Sequence, residues 1–218
     1  MEVETLARWA RWKGVTLLGT GDFTHPTYFS ELKAKLEPTG NGLFVLKRGP
    51  RDIHFMLTVE ISNVYVQDGR QHRIHTLVFA PSFEVGARIN QVLGRHGKLA
   101  SDGRPMLGCS ARDLALMVFE SSSECALVPA HAWTPWYSVF GASSGFDSLE
   151  ECYGESAGAI FAIETGLSSD PPMNWRWSAL DRICLISNSD AHSPSRIARE
   201  ANVFDTECSY PAVLDAIR

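Results

Sequence analysis

The sequence predicts an α/β fold with a largely parallel core. Three observations lead there: short apolar runs alternate with stretches of helical periodicity, a single Asp-Gly step joins two strand-like runs, and apolar runs repeatedly end in Asp, His or Glu. The last pattern is that of a barrel, whose strands deliver polar side chains to the catalytic end.

In chain order, Glu2 to Lys13 carries Val3, Leu6, Ala7 and Ala10 at helical spacing, with Gly14 as the stop. Val15 to Leu18 reads as a buried strand. Pro26 opens a helix whose buried stripe is Phe29, Leu32 and Leu36. Strands are expected at Leu43 to Leu46, Ile53 to Ile61, Val64 to Val66 and His75 to Ala80, with Asp68-Gly69 as the hairpin turn. Helices follow over Ser82 to Arg95 and Ser110 to Glu120, the second with Ser110 as its cap and Asp113 three residues on. Leu127 to His131, Ile160 to Glu164 and Ile183 to Ile186 are strand-like, and Tyr210 to Ile217 is a closing helix. No repeat or linker divides the chain, so residues 1–218 are expected to form a single domain.

Composition narrows the function classes. The 218 residues are 44% hydrophobic and 21% charged, as in an ordinary globular protein, and no charge-free apolar run is long enough to span a membrane. The N-terminus lacks a signal-peptide core, and a cytoplasmic location is expected. Five cysteines without CxxC spacing indicate neither a zinc ribbon nor a disulfide framework, and small buried or half-buried hydrophobes are the expectation. A net charge of −5 argues mildly against a broad non-specific nucleic-acid footprint, although metal-binding carboxylates would contribute to it. There is no GxxxxGK[ST] phosphate loop.

The chemistry-bearing candidates are Asp22, His25, Glu60, His75, His131, Asp190 and His192. Mixed imidazole and carboxylate sets suit zinc, manganese or iron better than calcium. Two or more such ions together can hold a phosphodiester and lower the pKa of a bound water to about 7. Each candidate also has a plainer reading: Asp190 in a surface turn, His75 as a satisfied structural histidine. Glu60, after Met56-Leu57-Thr58-Val59, resists that reading, because a buried carboxylate needs a partner. His54, His72 and His96 sit in polar or helical surroundings and are read as surface residues.

Gly21-Asp22-Phe23-Thr24-His25-Pro26, Val59-Glu60-Ile61-Ser62, Ile74-His75-Thr76-Leu77-Val78, the run from Val128 to Trp136 and Asn188-Ser189-Asp190-Ala191-His192-Ser193-Pro194 together resemble the PHP (polymerase and histidinol phosphatase) superfamily. Ser144 to Gly154 and the Glu164 to Arg176 loop narrow the resemblance to its endonuclease Q family. The resemblance implies a distorted (β/α)7-type barrel, incomplete at the N-terminus, with up to three divalent ions (Zn, Mn or Mg) at its strand ends. It also implies a metal-dependent endonuclease of DNA repair that nicks damaged DNA 5′ of deaminated bases (uracil, hypoxanthine) or abasic sites. Carried over by motif, His25, Glu60, His75, His131, Asp190 and His192 are the expected metal ligands, with Asp22 and Glu164 as catalytic residues. Asp22 and His25 match less closely, since the superfamily places Asp and His adjacent there.

The family's opening His-x-His strand and its C-terminal cysteine segment have no counterpart in this sequence. A truncated barrel with one weak or empty metal position is therefore expected. Trp133, Trp136, Tyr137, Met173, Asn174, Trp175 and Arg176 are the expected substrate-binding residues, able to receive a base taken out of the stack. Packing as a roof over the core is the alternative for the aromatic ones. Lys98 is a further phosphate-contact candidate. Two other functions stay open: a phosphoesterase for a small phosphate monoester or nucleotide, and an inactive barrel that binds nucleic acid.

Overall fold

The computed structural model describes residues 2–101 and 104–218. Its organising strand is β4 (His54–Gln67), a run of alternating and consecutive apolar residues long enough to receive neighbours on both edges at both ends. Near its start, β1 (Leu17–Gly19) lies parallel to it, and β3 (Phe44–Leu46), itself paired to β2 (Leu36–Pro38), lies antiparallel. Farther along, β5 (Arg70–Ala80) returns antiparallel through the Asp68-Gly69 turn, and β6 (Met106–Leu107) adds a short parallel partner. β7 (Ala126–Pro129) extends the sheet beyond β5.

A second sheet pairs β8 (Ala162–Glu164) with β9 (Cys184–Ile186) in parallel. The two sheets meet where Ala132 N donates to Glu164 O at 2.9 Å. The α/β expectation therefore holds, but the core is not largely parallel: among the described residues the pairings of β2–β3, β3–β4, β4–β5 and β5–β7 are antiparallel, because the β4–β5 hairpin sits at the centre of the sheet. The pairings among those residues form these two sheets and no closed barrel.

Helices cover the sheet with their apolar stripes. α1 (Val3–Lys13) buries Val3, Leu6, Ala7 and Ala10 and stops at Gly14, whose φ of 72° is the left-handed conformation a helix end favours. α2 (Pro26–Lys35) starts with Pro26 in the first turn. α3 (Phe83–Leu93) and α4 (Ala111–Ser121) pack together, α4 opened by a complete Ser110/Asp113 capping box. α5 (Leu149–Tyr153), the single turn α6 (Pro171–Asn174) and α7 (Tyr210–Asp215) complete the set. On α7 and just beyond it, Tyr210, Val213, Leu214 and Ile217 close a second apolar cluster with Leu43, Met56, Val128 and Ile186. No described helix is long and apolar enough to cross a membrane.

Several expectations are corrected. The strands expected at Ile53 to Ile61 and Val64 to Val66 are one strand, because the polar pair between them is absorbed. Asn63 Nδ2 donates to Cys109 O at 3.0 Å, while the Ser62 backbone N donates to Pro105 O at 3.0 Å and its hydroxyl is buried without a partner among the described residues. The returning strand begins at Arg70 rather than His75, so Glu60 and His75 lie inside strands, not at their ends. His72 is buried, not a surface residue: its ring stacks on Phe146 at 3.9 Å, and its Nδ1 contacts Ser144 O at 3.2 Å. Cys208 is exposed, unlike the other four cysteines.

Candidate metal centre

The β4–β5 register places Ser62 opposite His75 and Leu77 opposite Glu60, so Glu60 and His75 are diagonal neighbours on one face of the hairpin. His131 reaches the same point from the turn after β7, where its φ of 31° sits in the left-handed region. Three atoms converge there. His75 Nδ1 lies 2.8 Å from Glu60 Oε1, His131 Nε2 lies 3.3 Å from the same oxygen, and the two nitrogens are 3.2 Å apart.

This triangle fits a metal ion. Donors about 2.0–2.1 Å from a tetrahedral ion are separated by roughly 3.3 Å, close to the edges observed. The outer contact of His131 favours the same role. Thr134 Oγ1 donates its hydrogen to Trp136 O at 2.8 Å, so toward His131 Nδ1, 3.0 Å away, it accepts. With an ion bound, the neutral ring would keep its hydrogen on Nδ1 and turn the Nε2 lone pair to the ion, whereas without one the protonated ring donates from Nε2 to Glu60 Oε1.

The electrostatics are those of a buried, mutually compensated set. Burial alone would raise the pKa of Glu60, but hydrogen bonds from His131 and His75 and the charge of Arg104 hold it well below the usual carboxylate range. Burial pushes His75 down. Burial would do the same to His131, yet the hydrogen bond and charge of Glu60 carry it upward. Glu164 is pushed up to about 7 by burial, opposed by the hydrogen bond from His131 N.

Asp190 and His192 stand beside the triangle and outside it. The Asp190 loop is braced by Arg199, whose Nε donates to Ser189 O at 2.6 Å and whose Nη2 donates to Asp190 O at 3.1 Å. His25 is also outside the triangle: it is the N-cap of α2, its Nδ1 accepting from Tyr28 N at 3.4 Å. The residue Asp22 is exposed, while packing about its carboxyl raises its pKa, with Glu60 adding to the rise and Arg104 and His25 opposing it. Asp22, His131, Tyr137 and Asp190 all have positive φ. A strained backbone concentrated among site candidates is characteristic of functional positions.

The substrate candidates divide in two. Trp133 and Asn174 tie their loops together: Trp133 Nε1 donates to Asn174 Oδ1 at 2.7 Å, Asn174 is fully buried, and Trp133 packs on Phe140 and Trp177. Trp136, Met173, Trp175 and Arg176 are exposed. Tyr137 is half-buried, its ring 4.7 Å from His75. Lys98 is exposed and lines a cavity of about 460 Å³ with Pro26 and Leu99, none of the other substrate candidates lining it.

Sequence reasoning missed three residues. Thr134 follows His131 by three and is visible only as a second partner. Arg73 lies over the Trp136 and Tyr137 rings at 5.2 and 5.6 Å. Arg104 reaches Glu60, Asp190 and His192 from far along the chain, without any motif to announce it.

Known proteins with this architecture include the lesion-specific endonuclease of Pyrococcus furiosus, endonuclease Q. Its crystal structure superposes with a TM-score of 0.84 and 32% identity over 100% of this chain and 51% of the other. The chain is endonuclease Q-like over its whole length. The same agreement is found with endonuclease Q bound to a 27-mer duplex carrying an abasic lesion at its active site. Both likenesses are to endonuclease Q, in sequence and in fold.

A metal-dependent phosphoesterase fold from Bifidobacterium adolescentis matches at TM-score 0.52 and 14% identity over 97% of this chain and 88% of that one, a likeness of fold alone. Among curated proteins, the uncharacterized protein YqxK of Bacillus subtilis is 29% identical over 196 residues, 87% of this chain and 48% of its own. The chain thus spans about half the length of YqxK and of the endonuclease Q structures. No family model matches it.

Proposed function

We propose that the chain is a metal-dependent endonuclease that nicks DNA on the 5′ side of deaminated bases or abasic sites. The observation that carries the reading is the Glu60–His75–His131 triangle, set in a chain that superposes along its whole length on a lesion-specific endonuclease. The reading extends to one domain over residues 1–218, a barrel-like arrangement of the two sheets, and a cytoplasmic location. Its ion is Zn, Mn or Mg, and Asp190, His192 and His25 are the remaining ligand candidates outside the triangle.

Within that reading, Glu60, His75 and His131 hold a divalent ion. When bound, the ion supplies Lewis-acid activation of water and charge for the phosphate. Thr134 fixes the tautomer of His131. Glu164, near neutral pKa and 2.8 Å from His131 N, and Asp22 at the open side are the groups that accept or return a proton. Trp136 and Tyr137, with Arg73 over their rings, form a ledge beside His75 suited to a base face and its phosphate. Trp175, Met173 and Arg176 face solvent from the opposing loop, which the Trp133–Asn174 bond holds in place.

The test is cleavage of an end-labelled duplex with a single abasic site or hypoxanthine, in the presence of Mn²⁺, beside a His131→Ala control. A cut immediately 5′ of the lesion, lost in the control, is expected. Equal cutting of undamaged duplex, or no cutting by folded, metal-loaded protein, overturns the reading.

A further inference from the structure

The centre is asymmetric in a way that points to how many ions it takes. Glu60 divides its two oxygens: Oε1 faces the His75–His131 side, whereas Oε2 accepts from Arg104 Nε at 2.8 Å. In a carboxylate that bridges two cations, each oxygen serves one of them. Here the second cation is a guanidinium.

The same arginine meets the remaining candidates. Its Nη2 lies 3.1 Å from Asp190 Oδ1 and 3.3 Å from His192 Nε2. Nη2 therefore occupies the point on which the Asp190 and His192 donors converge. Asp190 and His192 form no three-donor group among the described residues; Glu60, His75 and His131 do. A guanidinium stays charged at any working pH and donates in a fixed fork that fits two carboxylates at once.

We propose that Arg104 is a built-in cation at the second position of the centre, so that the chain binds one tightly held divalent ion, at Glu60–His75–His131. The inference rests on reading that triangle as a metal site and is independent of the DNA substrate. With 29% of its side chain exposed, Arg104 also keeps part of its guanidinium open to solvent. It is a positioning residue for Glu60 and Asp190.

The decisive experiment is a metal count. Full-length protein is stripped with chelator, reloaded with Zn²⁺ or Mn²⁺, freed of excess ion by gel filtration, and analysed by elemental mass spectrometry. The comparison is with Arg104→Met, which keeps the side-chain length without charge. One ion in the wild type and two in Arg104→Met are expected, the second lost again when Asp190→Asn is added. With Mn²⁺, the wild type should give the six-line paramagnetic resonance signal of an isolated ion.

Two or more ions of similar affinity in the wild type, or a broadened spectrum of coupled ions, overturns the inference and leaves the metal reading standing. A single ion in folded Arg104→Met also overturns it. No ion in either protein removes the metal reading and the inference together. Should Arg104→Met fail to fold, the wild-type count and spectrum decide alone.

Discussion

Glu164 Oε2 accepts a hydrogen bond from His131 N at 2.8 Å, joining the end of β8 to the turn after β7. This contact holds His131 in its left-handed conformation and keeps a carboxyl against the metal triangle. Burial raises the pKa of that carboxyl to about 7, so the fold prefers its protonated form.

The pH dependence of the metal-free protein follows. An unfolded Glu titrates near its ordinary value of about 4.3, below the folded value. Between those values the native state binds more protons than the unfolded one, so this group's contribution to stability falls as pH rises and levels off above about 7. Thermal melts of wild type and Glu164→Gln from pH 4 to 8 should show the decline in the first protein and a flatter profile in the second. Parallel profiles would rule out Glu164 as the source.

Thr134 tests the outer contact of His131. Thr134→Val removes the acceptor at 3.0 Å from Nδ1 while preserving shape. Metal affinity should fall by about 10–100-fold, the usual cost of losing such a partner. Isothermal titration with Zn²⁺ measures it, and unchanged affinity would refute the role.

Gly166 approaches His131 too closely for any side chain. A Cβ there would lie 2.8 Å from His131 Cβ, on a backbone with φ of +59°. Gly166→Ala should cost about 1–3 kcal/mol, lowering Tm by roughly 3–10 °C in a chain of this size. A calorimetric Tm equal to wild type would contradict the packing described.

Trp133 and Trp175 should behave oppositely. Trp175 is 71% exposed, so Trp175→Ala should leave Tm nearly unchanged and weaken binding of lesion duplex by about 1–3 kcal/mol, roughly 5–150-fold. Trp133 anchors Asn174 and packs on two aromatic rings, and Trp133→Ala should destabilise the fold by about 2–4 kcal/mol. Melting curves and fluorescence anisotropy separate the two, and the reverse assignment would sink this division of the loops.

Much of this was legible in the chain. Helical periodicity, the caps at Gly14 and Ser110 and the first-turn Pro26 are local signals, and those helices stand within a residue or two of expectation. Glu60 was legible because a carboxylate among apolar residues needs a partner, and His75 and His131, candidates beside apolar runs, are the partners it has. What was hidden is non-local. Buried Asn63 read as part of a break because its side-chain partner, Cys109 O, lies more than forty residues away. His72 read as exposed among Arg70, Gln71 and Arg73 because Phe146, which covers it, comes from another loop. Arg104 belongs to the same class, its partners spread from residue 60 to 192.

The β4–β5 hairpin has a consequence for sequence variation. Its ladder is continuous from Leu57–Ala80 to the Gln67–Arg70 pair at the tip. Residues can be exchanged or added around Asp68-Gly69 without moving the ladder below. A single-residue deletion between Glu60 and the tip, or between the tip and His75, would swing one of the two donors to the opposite face of the ribbon. Length changes among functional relatives should therefore cluster at the tip or come as compensating pairs, one in each strand.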